Sequence, residues 1–163
     1  MKTCLLRTVL LLSCLAVLPA RAVAPGENAP AFSLLDARGN LIALERLRGK
    51  VVYVDFWASW CGPCRQSFPW MNGLQQRYPE QLVVVGVNVD RKRADADRFL
   101  QEHPAQFTVV FDAAGVTPST WSVKAMPTSF LVDPNGKIVA VETGFEESKA
   151  GAMEERVRTL VAR

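Results

Sequence analysis

Histidine is almost missing from this chain: His103 stands alone among 163 residues. A structural zinc site wants four ligands, and one imidazole leaves that class short of donors. Surplus charge is missing too. The formal +3 comes from 19 Lys and Arg against 16 Asp and Glu, and Lys2, Arg7 and Arg21 all fall in the first 22 residues, leaving 16 of each sign in the remainder. Polyanion binding needs an excess of phosphate-neutralising cations on the folded part, so a nucleic-acid partner is excluded. No apolar run reaches the roughly 20 residues of a spanning helix. Internal repeats and low-complexity tracts are also absent. What is present is an ordinary globular composition, 49% hydrophobic and 21% charged, which fits one compact domain and excludes disorder. A chain of this size buries roughly two-thirds of the surface its unfolded form exposes, so its cysteines are not needed as staples.

Residues 1–22 have the three-part layout of a secretory signal: a basic start at Lys2 and Arg7, an apolar run over 9–18, then Pro19 and the small-residue triplet Ala20-Arg21-Ala22. Cleavage after Ala22 is expected, with a retained membrane anchor as the rival. Leu11-Leu12-Ser13-Cys14 resembles a lipoprotein box, but the residues after Cys14 are apolar, whereas a lipidated cysteine normally begins a polar mature end. Cys4 and Cys14 then belong to the leader. The exported part, 23–163, keeps two cysteines, Cys61 and Cys64, in an oxidising compartment.

Along that part, apolar 32–35 and 41–44 flank the turn residues 36–40 and predict a hairpin. Two continuous β-branched runs, 51–57 and 82–89, read as strands buried on both faces. Between them 63–78 has helical spacing with Pro69 inside, which predicts a kinked helix. Strand, helix and strand in that order form a parallel βαβ unit. A second helix is expected over 94–101, a short strand over 108–111 and a helical turn over 118–122. Strands over 128–132 and 138–143 flank Asp133-Pro134-Asn135-Gly136, a hairpin turn with suitable chemistry. An amphipathic helix over 148–163 closes the chain. The fold class is a small α/β sandwich.

The chemistry lies in Cys61-Gly62-Pro63-Cys64, at the junction of a strand and a helix. At a helix start unpaired N–H groups point outward and the macrodipole is positive, which stabilises a thiolate at Cys61. Lowering a thiol pKa from about 8.5 to about 7 raises the reactive fraction at neutral pH from about 3% to about half. Cys64, one turn further in, is more shielded; the asymmetry makes Cys61 the attacker and Cys64 the resolver of a mixed disulfide. Pro63 suits the first helical position, where its missing N–H costs nothing. A static disulfide across so short a loop removes little chain entropy. Copper(I) can be held by two thiolates, so a copper-delivery protein is the alternative from another class.

The stretch Val54-Asp55-Phe56-Trp57-Ala58-Ser59-Trp60-Cys61-Gly62-Pro63-Cys64 resembles the active-site signature of thioredoxins. Further motifs resemble the exported TlpA/ResA/DsbE-like branch. They are Asn28-Ala29-Pro30-Ala31-Phe32-Ser33-Leu34, Gly49-Lys50-Val51-Val52, Gly86-Val87-Asn88-Val89-Asp90, Met126-Pro127-Thr128, and Asp133 with Gly136. Together they span about residues 26–144, and the resemblance implies a thioredoxin fold over 23–163, a central mixed sheet flanked by helices with an N-terminal hairpin extension. It implies that Pro127 is a cis-proline beside the disulfide, leaving the Met126 backbone to pair with an extended substrate. It implies that Asp55 is a buried acid moving protons to and from Cys64; burial raises a carboxyl pKa towards neutrality, which agrees. Trp57 and Trp60 are expected to pack around and shield the site, with Trp60, Gly62 and Pro63 on the substrate side. One position departs: Ser67 stands where many members carry an acid, which weakens a cytochrome c maturation role and leaves Asp55 as the one buried acid expected nearby.

Gly62 and Pro63 place no histidine between the cysteines. Potential tracks thiolate stabilisation, from about −270 mV in thioredoxin to about −120 mV in the oxidant DsbA, so the Gly-Pro pair points to the reducing end. The expectation is therefore a periplasmic reductant without cofactor, a monomer acting on exported proteins with disulfides or oxidised cysteines. In an oxidising periplasm it must be recharged, which implies a membrane electron donor of the DsbD/CcdA type. Peroxidases of the same fold class carry Thr or Ser three residues before the reactive cysteine, where this chain has Ala58. The cluster Arg91-Lys92-Arg93 with Asp95 and Asp97 reads as a solvated helix start, and His103 as a loop residue.

Overall fold

A computed structural model describes residues 23–162; the leader assigned to 1–22 lies outside the described residues. The β-branched runs become strands because their side chains pack on both faces of one sheet. That sheet has seven strands in the order β2-β1-β5-β4-β3-β6-β7. They are β1 (Ser33–Asp36), β2 (Leu41–Ala43), β3 (Val51–Trp57), β4 (Leu82–Asn88), β5 (Thr108–Phe111), β6 (Thr128–Val132) and β7 (Ile138–Thr143). Strands β3, β4 and β5 run parallel and the other pairings are antiparallel. The helices are α1 (Gly62–Arg77), α2 (Arg93–Glu102), α3 (Val116–Thr120) and α4 (Glu147–Val161). Among the described residues no helix is long and apolar enough to cross a membrane.

Alternation along β3 divides the interior. Val51, Tyr53 and Trp57 join Phe68, Met71 and Leu74 of α1 and Met153 and Val157 of α4 in one cluster. Val52, Val54 and Phe56 meet Phe32, Leu44, Trp121 and Phe130 on the opposite face. The N-terminal hairpin is continuous with the sheet through β1 and β5, and its turn is set by Asp36, whose carboxylate accepts the N–H groups of Arg38 and Asn40, each at 2.8 Å.

Two details differ from the sequence reading. Leu44 opens a short 3-10 turn (Leu44–Leu47) instead of ending β2, although its N–H still donates to the Phe32 carbonyl at 3.2 Å. Helix α3 begins two residues before Pro118, because the Asp112 carboxylate accepts the N–H groups of Gly115 and Thr117, at 3.0 and 2.6 Å, and caps an earlier start. Helix α1 continues through Pro69, where the spacing placed the proline inside the helix. The ring removes the helical donor for the Arg65 carbonyl, but both residues are exposed, so water can serve it.

Candidate functional site

Strand β3 ends at Trp57, and after four intervening residues the chain enters α1. Cys61 occupies the N-cap position, in extended conformation, and its Sγ accepts the Cys64 N–H at 3.2 Å. Gly62 and Pro63 follow as the first two helical residues, so Pro63 sits one place later than expected, still among positions whose N–H has no helical partner. Cys61 and Cys64 form a disulfide with their Cα atoms 5.4 Å apart. Cys61 is 3% exposed and Cys64 fully buried. Among the described residues no group of three or more His, Cys, Asp or Glu side chains could hold a metal ion.

The peptide bond between Met126 and Pro127 is cis. Pro127 is buried at the start of β6, where Thr128 pairs with Phe56 of β3, which brings the cis-proline to the same end of the sheet as Trp57. Among the described residues the Met126 backbone takes part in no backbone–backbone hydrogen bond, while its half-buried side chain packs against both core clusters. The two tryptophans have separate places. Trp57 is fully buried, with Phe68 and Phe99 at 5.0 and 4.8 Å between ring centroids. Trp60 is 69% exposed and borders a surface groove with Arg65, Asp95 and Arg98.

Asp55 lies between Tyr53 and Trp57 on one face of β3 and is 1% exposed. Its Oδ2 has no hydrogen-bond partner among the described residues, and burial pushes its carboxyl well above the usual carboxylate range. Ser67 is buried in α1, its hydroxyl donating to the Cys64 carbonyl at 3.1 Å.

The expectation of a single buried acid near the pair needs correction. Asp90, 6% exposed, binds the loop before Cys61: its carboxylate accepts the Ser59 N–H at 2.8 Å, the Ser59 hydroxyl at 3.0 Å and the Asn88 amide at 2.8 Å. Sequence reading had Asp90 only as part of a motif. Its signal was an acid just past the end of a buried strand, which becomes meaningful once the parallel pairing sets β4 beside β3.

The chain matches a family model described as Redoxin over residues 24–160. It is 36% identical to the thiol-disulfide oxidoreductase ResA of Bacillus subtilis (strain 168) over 124 residues, 76% of this chain and 69% of that protein. To ResA of Geobacillus thermodenitrificans it is 36% identical over 150 residues, 85% of this chain and 86% of the other. Among solved structures it is similar to a protein described as a thiol:disulfide interchange protein DsbE from Chlorobium tepidum. The two are 48% identical with a TM-score of 0.83, over 86% of this chain and 99% of that one.

Proposed function

The chain belongs to the Redoxin family as a thiol–disulfide oxidoreductase of the ResA and DsbE type, and from that premise we propose that it is a periplasmic disulfide reductant with Cys61 attacking and Cys64 resolving. The observation that carries this reading is the asymmetry of the pair: the Cys61 sulfur caps α1 and accepts a backbone N–H, while Cys64 is sealed beneath it. Once reduced, a Cys61 thiolate keeps that N–H as a charge-assisted partner.

In the exchange the Cys61 thiolate attacks one sulfur of a substrate disulfide, forming a mixed disulfide and expelling the other sulfur as a thiolate. Cys64 then gives its proton to the Asp55 carboxylate and attacks the Cys61 sulfur. The substrate leaves reduced by two electrons, and the Cys61–Cys64 disulfide carries the oxidation. The unpaired Met126 backbone offers a docking edge for an extended substrate beside Pro127, with Trp60, Gly62 and Pro63 exposed around the sulfur. A membrane dithiol donor of the DsbD/CcdA class returns the two electrons, and exported proteins with disulfides or oxidised cysteines receive them.

Alkylation of reduced protein over a range of pH tests the chemistry. Cys61 reacts with an inflection about one to two units below an ordinary thiol; an inflection at about 8.5 overturns the assignment. Direction is a separate measurement, equilibration against dithiothreitol and glutathione. A midpoint near about −270 mV supports the reductant, and one near about −120 mV reverses it.

A further inference from the structure

A small cavity opens beside β6 and β7 under α4, and one wall of it continues into the sheet towards the buried acid. Asp55 on β3 is the register partner of Ser129 on β6, and Ser129 is the partner of Glu142 on β7. Directly opposed residues carry their side chains on one face of a sheet. Three oxygen-bearing groups therefore form a row across three strands, from buried Asp55 through buried Ser129 to half-buried Glu142. Tyr53, two residues before Asp55, shares that face. Its phenol and the Ser129 hydroxyl line the same cavity wall, in the field of both carboxylates. Tyr53, Ser129 and Glu142 line the cavity, whose volume of about 30 Å³ is room for about two water molecules.

We infer that Ser129 and the Tyr53 hydroxyl form a proton relay between Asp55 and water at the Glu142 end of this cavity. The inference rests on the reading of Asp55 as the proton acceptor for Cys64. A carboxyl so deeply enclosed cannot exchange protons with solvent directly, yet each turnover moves one proton to or from it. A hydroxyl can take a proton on a lone pair while releasing its own from the other side. When Cys64 resolves a mixed disulfide, its proton reaches Asp55. The acid passes it to the Ser129 oxygen, and Ser129 gives up its own hydrogen through Tyr53 to cavity water. When the disulfide is reduced again the same path runs inward, and no electrons travel along it. Burial pushes the Tyr53 phenol far up, so it stays neutral and able both to donate and to accept. The charged groups facing the row are Glu142 from β7, Glu146 at the N-cap of α4 and Lys149 within it, the last two paired at 2.7 Å. From α1 the cavity receives the Trp70 ring.

The test is a stopped-flow reaction of reduced protein with an aromatic disulfide whose thiolate absorbs visible light. Attack by Cys61 releases one thiolate and resolution by Cys64 the second. Ser129→Ala and Tyr53→Phe are expected to slow the second phase about tenfold or more and leave the first unchanged. Ser129→Thr, which keeps a hydroxyl, restores it. In mixtures of light and heavy water the wild-type second phase depends on deuterium content with the curvature of several protons in flight, and Ser129→Ala loses that curvature, which repacking alone would not remove. If Asp55→Asn slows the second phase while Ser129→Ala and Tyr53→Phe match wild type in rate and curvature, the relay is overturned and the role of Asp55 stands. If Asp55→Asn leaves the second phase unchanged, both fall together.

Discussion

At the scale of one residue, Asp55 shows what an enclosed carboxyl costs. The unfolded chain ionises this carboxyl at about 3.9, while burial pushes the folded value well above it. Below the unfolded value both states hold the proton and no penalty arises. As pH rises past it the unfolded state releases a proton that the folded state retains, so stability falls until the folded carboxyl also ionises. The oxidised wild type is therefore expected to lose stability relative to Asp55→Asn as pH rises from about 4 towards about 8. Urea midpoints of the two proteins across that interval check it, and parallel curves contradict it. Asp55 was legible in the sequence because a charge inside an apolar strand is conspicuous. Asp90 was not, because its partner Ser59 is 31 residues away and only the sheet register joins them.

Elements were legible to the degree that their side chains alone define them. The strands β3, β5, β6 and β7 fall where β-branched and aromatic runs meet turn residues, and their bounds follow those runs. The pair Cys61 and Cys64 was placed correctly at the helix start for the same reason: strand pattern, glycine, proline and helical spacing follow one another without ambiguity. The displaced elements are those decided by a distant partner. The start of α3 is fixed by the Asp112 carboxylate and by Gly115 in the left-handed region at φ 70°, so the proline that ordinarily marks a first position stands third. Close packing across strands was equally hidden. Gly86 in β4 lies under the Trp57 and Phe107 rings, where an added Cβ would meet Phe107 at 2.9 Å; the sequence shows a glycine in a strand but not what lies against it. The row from Asp55 to Glu142 belongs here too, because β6 and β7 bring its members together only through register.

For the whole molecule the N-terminal hairpin is more than an extension of a central sheet. Phe32 and Leu44, each under 10% exposed, close the core on the face opposite α1. The Phe32 ring stands 6.2 Å from Trp121, which in turn packs against Phe56 and Phe130. Without that lid a cluster of aromatic rings behind β3 would face water. Phe32→Ala removes a buried ring from the site between Trp121 and the aromatic rings of the sheet, so it is expected to destabilise the folded chain by about 3–5 kcal/mol. The disulfide and α1 lie on the other face, so alkylation of Cys61 in the folded, reduced variant should proceed at the wild-type rate. Chemical unfolding with alkylation under native conditions separates the two effects. A loss below about 1 kcal/mol would make the hairpin peripheral, whereas a slowed Cys61 at full folding would mean that the two faces of the sheet are coupled through β3.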